Sequence, residues 1–310
     1  MIFILRAIAV SLAFFGLLYS FSSSLVVLIW QVLRLWRPQQ HFGARGLFVL
    51  RVSPFVSSAA VSLFLTLPSF LLLEKHSLDE DAGTFVLSAC SLFILGAGIY
   101  RVLTAEVRTR RVVSGFLEDA ITLQNPGAVP SVILAQKNAP PMLVGIRVPR
   151  IVISESACEV LSDEELQAAV RHETAHSRSR DNFKKAILNS LPFPGMANLE
   201  EAWLDASELA ADDGAVSSRA EALDLAVALI KLAQHFPRHA VPDLATGLVS
   251  SVRSVTLRVE RLMAWKESSS PNPYRWRFAI AITLIALSGI VAKLGAAMIL
   301  VHSLTERLVP

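Results

Sequence analysis

Ser162-Asp163-Glu164-Glu165-Leu166-Gln167-Ala168-Ala169-Val170-Arg171-His172-Glu173-Thr174-Ala175-His176 is the stretch whose periodicity organises the rest of the chain. Ser162 with Glu165 three residues on has the pattern of a capping box, and Leu166, Ala169 and Val170 follow at helical spacing. No proline or glycine occurs from Ser162 through Asn189, so one continuous helix is predicted there. On that helix His172 and His176 project from one face, a turn apart, with Glu173 beside them. Two imidazoles so placed can bind one zinc ion, and the carboxylate can take a proton from water at an open coordination position.

A zinc site needs a third protein ligand. The next helical stretch, Leu199 to Val216, contains Glu208-Leu209-Ala210-Ala211-Asp212. Glu208 and Asp212 share a helix face, so one can bind metal while the other hydrogen-bonds a ligand histidine and fixes its tautomer. Asp181, five residues after His176, is a further candidate for that supporting role. The order of two histidines followed by a glutamate on a later helix is the gluzincin arrangement. Glu200, Glu201, Asp205 and Asp213 read instead as ordinary exposed charges.

Hydrophobic residues make up 53% of the 310, too many for an ordinary soluble chain of this length. Four apolar runs account for the excess: Ala7 to Trp30, Val52 to Leu73, Ala82 to Tyr100 and Phe278 to Val301. Each is long enough to cross a hydrocarbon core of about 30 Å as a helix. Arg34, Arg37, Arg45 and Arg51 crowd the first connection and Arg101, Arg108, Arg110 and Arg111 follow the third run, whereas Glu74 to Asp81 is net acidic. The positive-inside rule then puts the amino terminus outside and Glu106 to Tyr274 in the cytoplasm. A cleaved signal peptide over the first run is the alternative. Against it, the apolar run resumes at Leu25 to Trp30 and no A-x-A site follows. Lys293 in the fourth run has no acidic partner in the other three, and reads as snorkelling or lining a water-accessible groove.

Cys90 and Cys158 have no zinc-ligand spacing, and no disulfide is expected. The 29 Lys and Arg against 26 Asp and Glu reflect arginines flanking the membrane, with no support for a nucleic-acid partner. Between the third and fourth runs, Val132 to Leu134, Met142 to Val144 and Ile151 to Ile153 read as strands. Ser162 to Asn189, Leu199 to Val216, Arg219 to His235 and about Pro242 to Trp265 read as helices. An exposed strand edge beside a metal can hold an extended peptide by backbone hydrogen bonds.

The expected fold is thus an α-helical membrane protein with four transmembrane helices and a cytoplasmic, mainly α (α+β) gluzincin-like metallopeptidase domain. Residues 1–105 would hold three spans (about 7–30, 52–73 and 82–100), 106–274 the peptidase domain, and 275–310 the fourth span (about 278–301) and a short tail.

The motifs in order, Gly145-x-x-x-Pro149-x-Ile151, His172-Glu173-x-x-His176-x-x-x-x-Asp181 and Glu208-x-x-x-Asp212, resemble the membrane metallopeptidase unit of the BlaR/MecR-type antibiotic-sensing receptors. The resemblance implies one zinc ion per chain, bound by His172, His176 and Glu208, with Glu173 as general base and acid. It implies a multi-pass protein of the cell (inner or plasma) membrane that cuts a protein or peptide substrate in the cytoplasm, such as a transcriptional repressor, or itself. Only His302 to Pro310 follow the fourth run, so the signal is expected from a separate sensor protein, the outer loop or the bilayer. The heat-shock and CAAX-prenyl membrane proteases share the zinc motifs and are the nearest alternative; a non-catalytic signalling scaffold is another. Retention of Glu173 favours an enzyme, since a purely structural zinc site has no use for a base. His235, His239 and Arg261 are candidates for stabilising the oxyanion.

Overall fold

The computed structural model describes residues 2–36, 43–73, 82–117, 121–122, 130–136, 139–236, 246–247, 252–266 and 299–304. Among the described residues three helical stretches are long and apolar enough to cross a membrane: Phe3–Leu35, Ala44–Leu73 and Ala82–Gly115. They belong to α1 (Ile2–Trp36), to α2 (Ala44–Val61) continued through a π turn (Ser62–Thr66) into α3 (Leu67–Leu73), and to α4 (Ala82–Leu117). All three run past the predicted span boundaries. At 1.5 Å per residue a helix of 33 residues is about 50 Å long, so each outreaches a bilayer core of about 30 Å. Arg45 and Arg51, predicted in the first connection, lie inside α2. Of the predicted fourth span only 299–301 fall within the described residues, where they are helical; Lys293 and His239 lie outside them.

The three predicted strands are present, the first and third slightly longer than predicted, as β2 (Ser131–Ala135), β3 (Met142–Val144) and β4 (Arg150–Ser154). With the two-residue strands β1 (Ile121–Thr122) and β5 (Thr246–Gly247) they form a sheet of order β1-β2-β4-β3-β5. β2 and β4 run parallel, with Val132 beside Ile151 and Ile133 beside Val152, and the other pairings are antiparallel. The turn from β3 to β4 requires glycine. Gly145 has φ +90, and a Cβ there would strike the Val148 carbonyl.

Five helices follow the sheet and one more ends the described part of the domain. They are α5 (Glu155–Val160), α6 (Asp163–Ser179), α7 (Asp181–Asn189), α8 (Ala197–Ala215), α9 (Arg219–His235) and α10 (Val252–Met263). The capping box at the start of α6 is formed in both directions, the Ser162 hydroxyl accepting from the Glu165 amide and the Glu165 carboxylate from the Ser162 amide. α9 is the hydrophobic centre: Ala222, Leu225, Ala226, Leu229 and Leu232 are buried against α6, α10 and the inner face of the sheet.

Two predictions fail here. The continuous helix from Ser162 to Asn189 is broken at Arg180, which adopts a left-handed conformation (φ 55, ψ 41) and separates α6 from α7. The cost of φ > 0 at a residue with a Cβ is of order 1 kcal/mol. Beyond the break Asn182 donates two hydrogen bonds, to the Leu143 and Gly145 carbonyls, which anchor α7 on the sheet. The helix predicted from about Pro242 starts only at Val252, because Thr246 and Gly247 pair with Leu143 and Met142 as strand instead. Gly247 would cost a helix interior about 1 kcal/mol relative to alanine.

Candidate metal centre

α6 and α8 lie side by side, and their facing residues bring His172, His176 and Glu208 together, all buried, with one potential ligand atom from each within 4.8 Å of the others. His172 Nε2 and His176 Nε2 are 3.1 Å apart, His172 Nε2 lying 3.5 Å from Glu208 Oε2 and His176 Nε2 3.5 Å from Glu208 Oε1. Zinc bonds of 2.0–2.1 Å in tetrahedral geometry put ligand atoms about 3.3 Å from one another. The two imidazole nitrogens face one oxygen each of the Glu208 carboxylate, at separations close to the edge length of a zinc tetrahedron. With a proton on an imidazole the cluster is an ion-paired network, and with both Nε2 atoms unprotonated it is compatible with a zinc site.

Glu173 completes the pattern. Both of its carboxylate oxygens are buried, with no side-chain hydrogen-bond partner and the Leu143 backbone as a weak donor, and it lies in charge range of His172, His176 and Glu208. Burial pushes its pKa up to about 7, against a smaller downward pull from the two histidines. A carboxylate that is buried and so weakly bonded is poised to accept a proton.

The supporting groups hold each ligand in turn. His176 Nδ1 is hydrogen-bonded to Asp181 at 2.8 Å. On an unbroken helix Asp181 would lie 140° around the axis from His176, since five residues turn through 500°. The left-handed break at Arg180 is what brings it back. Burial alone would lower the His176 pKa, but Glu208 and Asp181 outweigh it and lift the imidazole to about 10. Burial likewise works against the Asp181 charge, and His176 and Lys184 together still hold that carboxyl below its usual range. His172 Nδ1 lies 3.0 Å from Asp212 Oδ1, within ion-pair range though off the hydrogen-bond axis.

Arg258, on α10, was not singled out in the sequence. It is 1% exposed and places Nε and Nη2 on the two Asp212 oxygens, at 2.8 and 2.6 Å, and Nη1 2.9 Å from Glu208. Burial disfavours the charged carboxylates, yet Arg258 and the histidines hold Glu208 well below its ordinary pKa and Asp212 below its own. The candidates named for the oxyanion are placed elsewhere: Arg261 sits in an exposed pair with Asp213, and His235 is exposed and packs on Phe236. Glu200 also departs from its reading as an exposed charge, because it is paired with the buried Arg51. Asp213, 52% exposed, fits that reading.

Asp212→Ala is expected to weaken zinc affinity by roughly 10- to 100-fold, as loss of a group orienting a ligand usually does. Competition with a chelator of known affinity measures this. An unchanged affinity would reduce Asp212 to a counter-ion for Arg258.

Residues 106–240 match the model of Peptidase family M48, a family of zinc metallopeptidases. That segment carries α5 to α9 and all the residues of the cluster except Arg258. No curated protein matches the chain. The match names a peptidase domain and not a receptor subtype.

Proposed function

We propose that this protein is a membrane-embedded zinc-dependent endopeptidase that cleaves a cytoplasmic protein. The observation that carries the reading is the buried triangle of His172, His176 and Glu208 with the buried Glu173 carboxylate beside it, together with three membrane-length helices among the described residues. In this reading the three residues hold one zinc ion. When bound, the ion supplies the Lewis acidity that polarises a peptide carbonyl and makes water a usable nucleophile at neutral pH. Glu173 takes the proton from the attacking water and delivers it to the leaving amine, as a carboxyl with a pKa near neutrality can do in both directions. Asp181 fixes the His176 imidazole by a hydrogen bond at Nδ1 and Asp212 lies 3.0 Å from Nδ1 of His172, leaving each Nε2 to face the metal.

The order of spans and motifs supports a regulatory role of the BlaR/MecR type, the substrate being a repressor-like protein or the chain itself and the trigger a separate sensor. A membrane protease of the heat-shock or CAAX-prenyl type is the second reading, and the family match accommodates it. A buried, proton-accepting Glu173 beside the three candidate ligands speaks against a scaffold that merely keeps the fold.

Elemental analysis of the purified protein is expected to find one zinc per chain, with His176→Ala and Glu208→Ala both losing it. Full occupancy in Glu208→Ala would mean that Glu208 is not the third ligand.

The arginine asymmetry of the loops supports a cytoplasmic site. In a chain with Cys90 and Cys158 replaced by serine, a cysteine at Ser77 is expected to react with a membrane-impermeant reagent in intact cells, and one at Ser217 only after lysis. Labelling of the Ser217 position in intact cells would put the peptidase domain outside and remove every cytoplasmic substrate.

A further inference from the structure

α8 is held at two places by different parts of the molecule. Its carboxyl-terminal half carries Glu208 and Asp212 toward α6, while its amino-terminal half packs on the membrane helices. There Leu199 and Trp203, 0% and 1% exposed, join Val26 and Trp30 of α1 and Leu47 of α2, with the Trp203 ring 6.2 Å from that of Phe48. Within this apolar contact lies one ion pair. Arg51 of α2, 1% exposed, places Nε and Nη2 2.9 and 2.8 Å from Glu200 Oε1, and Nη2 also donates to the Leu191 carbonyl. Leu191 begins the turn from α7 to α8, and that turn is itself wedged against the membrane helices. The Tyr19 hydroxyl donates to the Pro192 carbonyl, Phe193 packs edge-on against Tyr19, and a Cβ at Gly98 of α4 would strike the Ser190 carbonyl.

Apolar packing alone would attach α8 to the membrane helices. A buried arginine paired across the same contact adds little net attraction after desolvation, and its physical advantage is that it accepts one register only. Register matters here because Glu208 is eight residues beyond Glu200, about 12 Å along a rigid helix. A tilt of about 1° about the Glu200 end moves Glu208 by about 0.2 Å, which is the whole tolerance of a zinc–oxygen bond.

We propose that Arg51 and Glu200 are positioning residues for the metal centre: the pair locks α8 onto the second membrane helix and so holds Glu208 in register with His172 and His176. Zinc retention is then tied to the placement of a membrane helix, and a displacement of α2 within the bilayer is felt at the metal. The proposal rests on the reading of His172, His176 and Glu208 as zinc ligands.

The test uses the full-length protein in detergent and reads zinc release to a chelator, alongside kcat and KM on an unstructured polypeptide. Glu200→Gln, at a site 30% exposed, keeps volume and fold, and is expected to release zinc several-fold faster. Arg51→Ala, Arg51→Glu and Glu200→Arg are each expected to release it about 10- to 100-fold faster, lowering kcat with little change in KM. The reversed pair, Arg51→Glu with Glu200→Arg, is expected to recover most of the loss. Release at the wild-type rate from Glu200→Gln and from every single variant that folds would overturn the proposal. So would a folded reversed pair that is as leaky as the worse single variant. Glu208→Ala is run beside them: if it holds zinc at full occupancy, the ligand assignment fails, and that result is distinct from a failure of the Arg51–Glu200 pair.

Discussion

Glu173→Gln is expected to keep its zinc and to lose peptide hydrolysis by about 100- to 10,000-fold, the range a general acid–base residue supplies. The amide matches the carboxylate in shape, so the buried site stays filled and the three proposed ligands, His172, His176 and Glu208, are undisturbed. What it lacks is a lone pair basic enough to take the water proton. The native carboxyl is pushed up to about 7 by burial in the metal-free site, and a nearby dication draws it down again. The base must be ionised to work, so activity is lost as pH falls, and the acidic limb of the kcat/KM profile is expected at or below about pH 7. Whatever residual turnover Glu173→Gln retains should lack that limb. Zinc content by elemental analysis and turnover of an unstructured polypeptide decide the matter together. A variant with full zinc and wild-type turnover would remove Glu173 from the chemistry.

Helical spacing made most of the candidate centre legible before any coordinates. His172, His176, Glu208 and Asp212 are pairs four residues apart on two helices, and the capping box fixed where the first of those helices begins. The strands were legible for a similar reason, as short β-branched runs bounded by proline and glycine. What escaped was set by contacts between segments far apart in sequence. Nothing in Ser177-Arg178-Ser179-Arg180 signals a break, since no glycine or proline is present. The left-handed turn at Arg180 is imposed by Asp181 reaching His176 and by Asn182 reaching the sheet. Glu200 looked like a surface charge because its partner lies 149 residues earlier, in a membrane helix. A usable signal did exist for both missed arginines. Arg51 falls on the stripe of Leu47, Pro54 and Ser58, and Arg258 on the stripe of Val255 and Leu262, so each is a charge at a position whose helix neighbours are buried. Such a charge has a buried counter-ion as its simplest explanation.

Arg258→Met is expected to be the most destabilising single change at the centre. Methionine replaces much of the arginine stem, so little cavity remains, but it leaves Glu208 and Asp212 buried beside each other with their shared cation gone. Removing one member of a buried ion pair typically costs about 3–5 kcal/mol, and for a domain of this size each 1 kcal/mol moves the thermal midpoint by roughly 2–4 °C. A fall of roughly 6–20 °C in the metal-free protein follows. The remaining negative charge still attracts a dication, and a ligand that binds only the folded state stabilises it by mass action. Excess zinc is therefore expected to close part of the gap between Arg258→Met and wild type, while a chelator widens it. Thermal denaturation of both proteins with zinc and with chelator, at one scan rate, separates these effects. Equal midpoints under both conditions would show that the carboxylates do not need Arg258. A gap that zinc leaves unchanged would place the role of Arg258 in packing α10 and not in neutralising Glu208 and Asp212.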